Sequence, residues 1–209
     1  MFRPIETDAL LLIDIQVDFC PGGTLAVGEG NAVVPVANAL SPRFDTVILT
    51  QDWHPPGHSS FASSHPGMAP FDTAAMAYGP QTLWPDHCVQ GSAGAAFHPD
   101  LAVDRAQLVI RKGFRPAIDS YSAFRENDRK TATGLAGYLR DRGISRVFLA
   151  GLATDYCVTW SAEDAAANGF QAVVLLDACR AIDLDGSLLT ALARMQGAGV
   201  QLAHSADVA

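Results

Sequence analysis

Three side chains able to carry acyl transfer stand where apolar, β-branched runs end. Asp14 closes LLLID, Lys112 closes LVIRK, and Cys157 lies just past the run Arg146 to Ala150, in AGLATDYCV. A thiol attacks as its thiolate, a carboxylate can take the thiol proton, and a nearby ammonium lowers the thiol pKa. The turn after Gly151 predicts a helix beginning near Thr154 or Asp155, with Cys157 in its first turn. There the unpaired N–H groups and the positive end of the helix dipole favour a thiolate. Backbone N–H groups of the same turn, from Ala153 and Cys157, could hold the oxyanion that forms when a carbonyl is attacked. Taken singly, each residue has a commoner role: cysteine as small core packing, a strand-end aspartate as a cap, lysine as a solvated charge. The three together at strand ends point to one site.

A second constellation consists of Asp52, which closes VILTQD, with His54 two residues on, then His58, Ser60 and His65, and His87 in LWPDHC. Carboxylate and imidazole suit zinc, manganese or iron. Asp52 and His54 can point to the same side of a strand end, whereas His87 must return through a long loop. His58, His65, His98 and His204 read as loop or surface residues.

The elements that must position these groups follow from the apolar pattern. Runs at Ala9 to Ile13, Thr46 to Thr50, Leu108 to Arg111, Arg146 to Ala150, Ala172 to Leu176 and Val200 to Ala203 suit strands buried on both faces, as in a parallel sheet. Helical stretches at Asn31 to Leu40, Thr131 to Arg142, Asp155 to Asn168 and Asp185 to Gln196 lie between several of them. The second and third end at Gly143 and Gly169, where a helix C-terminus favours glycine. The alternation predicts a three-layer, doubly wound α/β fold, with a mostly parallel sheet and helices on both faces. In such a fold the ligand crevice lies at the carboxyl ends of the strands, so Asp14, Asp52 and Lys112 should face one site. The stretch from Trp53 to Gln107 is rich in Pro, Gly, Ser and His and has no helix or strand periodicity. It reads as a long active-site insertion carrying metal and substrate residues, within a single domain spanning residues 1–209.

Composition excludes several functions. The chain has 22 acidic and 14 basic residues, a formal charge of -8, and no basic run, which disfavours nucleic acid and anionic membranes as partners. The first apolar run, Ala9 to Ile13, is too short for a signal-peptide core or a membrane span, so a soluble cytoplasmic protein is expected. The cysteines Cys20, Cys88, Cys157 and Cys179 form no CxxC pair, consistent with reduced thiols. Gly28-Glu29-Gly30 is followed by Val33 where a dinucleotide fingerprint needs its third glycine, and no strand directly precedes it.

The segments IDIQVDFCPGGTLAV, TQDWHPPGHSSFASSH, TLWPDHCVQGSAGAAFHPDL, IRKG and GLATDYCV, in this order across nearly the whole chain, resemble the signature segments of the nicotinamidases, within the isochorismatase-like hydrolases. DWH and WPDHC are similar to its metal-containing branch. The resemblance implies a nicotinamide amidohydrolase that forms nicotinate and ammonia through a cysteine thioester, acts also on pyrazinamide, and serves NAD salvage. It implies Asp14, Lys112 and Cys157 as the catalytic set, with Ala153 and Cys157 forming the oxyanion hole. Asp52, His54 and His87 would hold one divalent metal ion, zinc first with iron or manganese as alternatives, and Ser60 stands where some relatives carry a further ligand. Phe19, Trp84 and Tyr121 would wall the pocket. A cis peptide is implied at Leu152-Ala153. Another amidase of the superfamily, acting on a carbamoyl or ureido compound, is the alternative, and a homo-oligomer is left open.

Overall fold

The computed structural model describes all residues from Met1 to Ala209. Six strands, β1 (Asp8–Ile13), β2 (Thr46–Asp52), β5 (Ala106–Lys112), β6 (Arg146–Leu152), β7 (Gln171–Arg180) and β8 (Gln201–Ala203), form one sheet in the order β5-β2-β1-β6-β7-β8. Every pair in it is parallel. The helices are α1 (Val33–Leu40), α2 (Leu135–Asp141), α3 (Thr159–Ala167) and α4 (Ser187–Gly197).

The unbroken apolar run of β1 is explained by its central place: all six of its residues are buried. Leu10 and Leu12 join one core cluster with α1, while Ala9, Leu11 and Ile13 join the other with α2, α3 and α4. Each fully buried leucine here contributes roughly 1.5–3 kcal/mol relative to an exposed one.

Strand order decides which connection covers which face. From β1 the chain steps outward through β2 to β5, then crosses back to β6 and steps the other way through β7 to β8. Because parallel crossovers are right-handed, the two directions of travel place their connections on opposite faces. The connection after β1 (α1) and the one after β2 therefore share a face: Trp84, Cys88, Ala95 and Leu101 pack into the same cluster as α1.

That connection between β2 and β5 is less irregular than its composition predicts. It contains a two-stranded antiparallel hairpin, β3 (Thr73–Met76) and β4 (Gly79–Thr82). Alanine, glycine and proline fill much of these short strands, so no alternation marks them. The expected helix from Thr131 begins only at Leu135. Gly134 takes a left-handed conformation at φ 98°, and the Thr133 hydroxyl donates to the Ala123 carbonyl at 2.6 Å, diverting this stretch from helical bonding. β7 runs to Arg180, beyond the expected Leu176, because a shift of register lets Cys179 and Arg180 pair with Gly151 and Leu152.

Candidate active site

The sheet reverses its direction of travel between β1 and β6, and at such a switch point the loops leaving two neighbouring strands part to open a crevice. Asp14 follows β1 and Cys157 follows β6 at that point. The strands approach closely: Gly151 has φ 126°, and any side chain there would collide with the Ile13 backbone. After β6 the Leu152-Ala153 peptide is cis, as the sequence resemblance implies. The chain then makes a π-helical turn over Thr154–Val158 before α3, so Cys157 lies in a wide turn rather than the first turn of an α-helix. The Ala153 N–H has no hydrogen-bond acceptor within the protein.

Lys112, at the end of β5, reaches across β2 into this crevice. Its ammonium lies 2.7 Å from Asp14 Oδ2, 2.6 Å from Asp52 Oδ1 and 3.5 Å from Cys157 Sγ, and it donates to the Ser120 carbonyl at 3.0 Å. Asp14 and Lys112 are wholly buried and Cys157 nearly so. Asp14 also accepts from the Thr50 hydroxyl at 2.6 Å.

Burial sets the protonation of this group. It raises the Asp14 carboxyl despite the opposing charge of Lys112, making Asp14 a better proton acceptor than an exposed aspartate. Burial would raise Asp52 too, but the adjacent Lys112 ammonium is the strongest influence against it, and Asp52 is held well below the usual carboxylate range. Lys112 stays charged although burial opposes it, because Asp14 and Asp52 flank it. The expectation of a lowered thiol pKa at Cys157 is not met. Burial pushes the thiol well up, and Lys112 is opposed by Asp14 and Asp52. The resting group is a thiol, so attack requires a base at hand.

Next to this cluster, Asp52, His54 and His87 bring three buried donor atoms within 4.8 Å of one another. His54 Nε2 is 3.4 Å and His87 Nε2 3.6 Å from Asp52 Oδ2. Each imidazole donates its Nδ1–H to a carbonyl, His54 to Gly113 at 2.9 Å and His87 to Pro85 at 2.8 Å, which turns both Nε2 lone pairs toward the carboxylate. His54 Nε2 is buried without a hydrogen-bond partner. A divalent cation satisfies all three donors, and the residues fit one. The Ser60 hydroxyl is 2.7 Å from His58 Nδ1, while His58 Nε2 donates to the Arg115 carbonyl. His58 lies in a loop, as its sequence context suggests, but is a buried bridge rather than a surface residue.

Phe19, Trp84 and Tyr121 line one pocket together with Asp52, His87, Ala153 and Cys157. Asp119, Tyr156, Leu25 and Ile182 complete it and were not found from sequence. Tyr156 adjoins the predicted nucleophile, which was its one available signal. Two further residues of the IDIQVDF segment act from behind. The Gln16 side chain bonds both the N–H and the C=O of Asp52, at 2.8 and 2.9 Å, and the Asp18 carboxylate accepts from Cys88 N–H at 2.7 Å, next to His87.

Residues 8–207 match the Isochorismatase domain family. A nicotinamidase from Acinetobacter baylyi is 54% identical over 200 residues, covering 96% of this chain and 94% of that protein. The solved structure of a nicotinamidase/pyrazinamidase from Acinetobacter baumanii superposes with a TM-score of 0.96 at 52% identity, over 97% of this chain and 98% of that one. The pyrazinamidase of Pyrococcus horikoshii, solved in complex with zinc, gives a TM-score of 0.77 at 34% identity, over 95% of this chain and 99% of that one. The crevice at the switch point, its buried cysteine, lysine and aspartate, and this likeness along almost the full length lead to one assignment: the chain belongs to the isochorismatase-domain family and, within it, to the nicotinamidases.

Proposed function

We propose that this protein hydrolyses nicotinamide to nicotinate and ammonia through a thioester on Cys157, and pyrazinamide by the same route. The observation that carries the reading is an aromatic-walled pocket lined by Cys157, Asp52 and His87, with Asp14 and Lys112 packed against the first two and His54 completing the donor set of the last two. A metal-independent amidase has no use for the second set.

Phe19, Trp84 and Tyr121 take the ring, and the carboxamide carbon comes to Cys157. Asp14 accepts the thiol proton as sulfur attacks. The N–H groups of Ala153 and Cys157 stabilise the oxyanion. Asp14 returns the proton to the departing nitrogen, the C–N bond breaks, and ammonia leaves a thioester. Water then attacks the thioester, again giving a proton to Asp14; as the C–S bond breaks Asp14 returns that proton to the departing sulfur, and the acid leaves as nicotinate with its own proton lost to solvent. Lys112 keeps the charge of the buried cluster balanced throughout. Asp52, His54 and His87 would hold zinc, with Ser60 as a further ligand, and the ion when bound would supply a positive charge able to polarise a ring nitrogen. In this reading the protein works in the cytoplasm, in NAD salvage.

Ammonia release from nicotinamide by purified protein, with Cys157→Ala alongside, tests the reading. Release by the first and none by the second is expected. Folded, metal-loaded wild-type protein that releases none would remove nicotinamide as the substrate.

A further inference from the structure

The hairpin β3-β4 stands in the middle of the insertion, and one of its side chains is buried among residues that line the pocket. Gln81, on β4, is 2% exposed. Its amide nitrogen lies 3.0 Å from Asp119 Oδ2, 2.7 Å from the Tyr121 hydroxyl and 2.8 Å from the Thr82 carbonyl. Its carbonyl oxygen accepts from Asn127 Nδ2 and from the Tyr78 hydroxyl, each at 3.1 Å. The orientation of the amide is settled by its neighbours: a carboxylate demands the nitrogen, and the Asn127 amine demands the oxygen.

Two of these partners are pocket residues, and the network reaches a third. The Tyr121 hydroxyl also accepts from Trp84 Nε1 at 3.1 Å, tying together two aromatic walls. Asp119 lines the same pocket and faces His54 at 3.9 Å. Asn127 closes the circuit by accepting from Tyr121 N–H at 3.0 Å and donating its own N–H to the Asp119 carbonyl at 2.8 Å. Trp84 comes from the insertion and Tyr121 from the loop after β5, so no regular element holds one against the other. Beside their direct bond, the polar core that braces Tyr121 and Asp119 runs through Gln81.

We infer that Gln81 is the positioning residue of the ring pocket: its amide locks Trp84, Tyr121 and Asp119 in one arrangement and thereby sets substrate affinity without touching the reacting atoms. This rests on the reading of the pocket as a nicotinamide site. Loss of the amide leaves a buried carboxylate oxygen and a hydroxyl short of partners, and the wall loosens.

Steady-state kinetics on nicotinamide with wild type, Gln81→Leu and Tyr121→Phe decide it. Gln81→Leu is expected to raise KM roughly tenfold with kcat within about threefold of wild type, because ground-state binding is lost while the chemistry is retained. Tyr121→Phe, which keeps the ring and removes only the hydroxyl, shifts KM in the same direction by a smaller factor and decides the matter if Gln81→Leu fails to fold. An unchanged KM, or a fall in kcat with KM unaltered, overturns the inference while wild-type turnover leaves the nicotinamide reading standing. Absence of wild-type turnover overturns both.

Discussion

Lys112 Nζ lies 2.6 Å from one oxygen of Asp52, while the other oxygen of that carboxylate faces the Nε2 atoms of His54 and His87. Asp52 is thus shared between the cluster of Asp14, Lys112 and Cys157 and the group formed with His54 and His87, and the two are one electrostatic unit.

Removing Lys112 should unfold more than a site. In Lys112→Met the carboxylates of Asp14 and Asp52 would face each other in the core with no cation between them. Breaking a buried ion pair on one side costs about 3–5 kcal/mol, and a drop of that size in the free energy of chemical denaturation is the expected outcome. A variant as stable as wild type would show that the carboxylates find another partner.

For the nucleophile, Cys157→Ala should lower turnover by at least about 10³-fold while circular dichroism and melting temperature stay near wild type. The side chain is small and lies at the pocket, so little packing is lost. Appreciable turnover by the purified variant would move the chemistry away from sulfur.

Loss of His87 should show in metal content before anything else. His87→Ala removes one of three donors, and elemental analysis of the purified variant should find it depleted relative to wild type. Chelation of the wild-type protein should likewise lower its melting temperature, since an ion that binds only the folded state stabilises it by mass action. Equal metal content in variant and wild type would count against Asp52, His54 and His87 as the ligands.

Gly113 offers a test of the tautomer argument from outside the donor set. It has φ 68°, its carbonyl accepts from His54 Nδ1, and a Cβ built on it would fall against the His54 ring. Gly113→Ala should therefore tilt the imidazole and weaken metal affinity by about 10–100-fold, with about 1–3 kcal/mol of strain. Competition against a chromophoric chelator measures the first; wild-type affinity would mean that the ring does not need that carbonyl.

The parallel sheet was legible because buried strands are written as unbroken apolar runs, and the strand-end positions of Asp14, Asp52 and Lys112 follow from the same runs. Glycines at Gly143 and Gly169 marked helix ends because each takes a positive φ there. The hairpin at Thr73–Thr82 was not legible, since its strands gain order from docking Gln81 rather than from alternation.

The amino-acid sequence by itself determined which residue types end each strand and that a thiol, an ammonium, carboxylates and imidazoles would be available at one edge of the sheet. Only the tertiary structure decided their protonation and their neighbours. The thiol of Cys157 is raised, because burial outweighs the Lys112 charge that Asp14 and Asp52 already share. Asp119 and Tyr156 entered the pocket, and Gln81 the polar core behind it, through contacts between segments far apart in the chain, which leave no period in the sequence. Desolvation and long-range hydrogen bonding depend on the packed environment, and that environment exists only once the strands have been ordered.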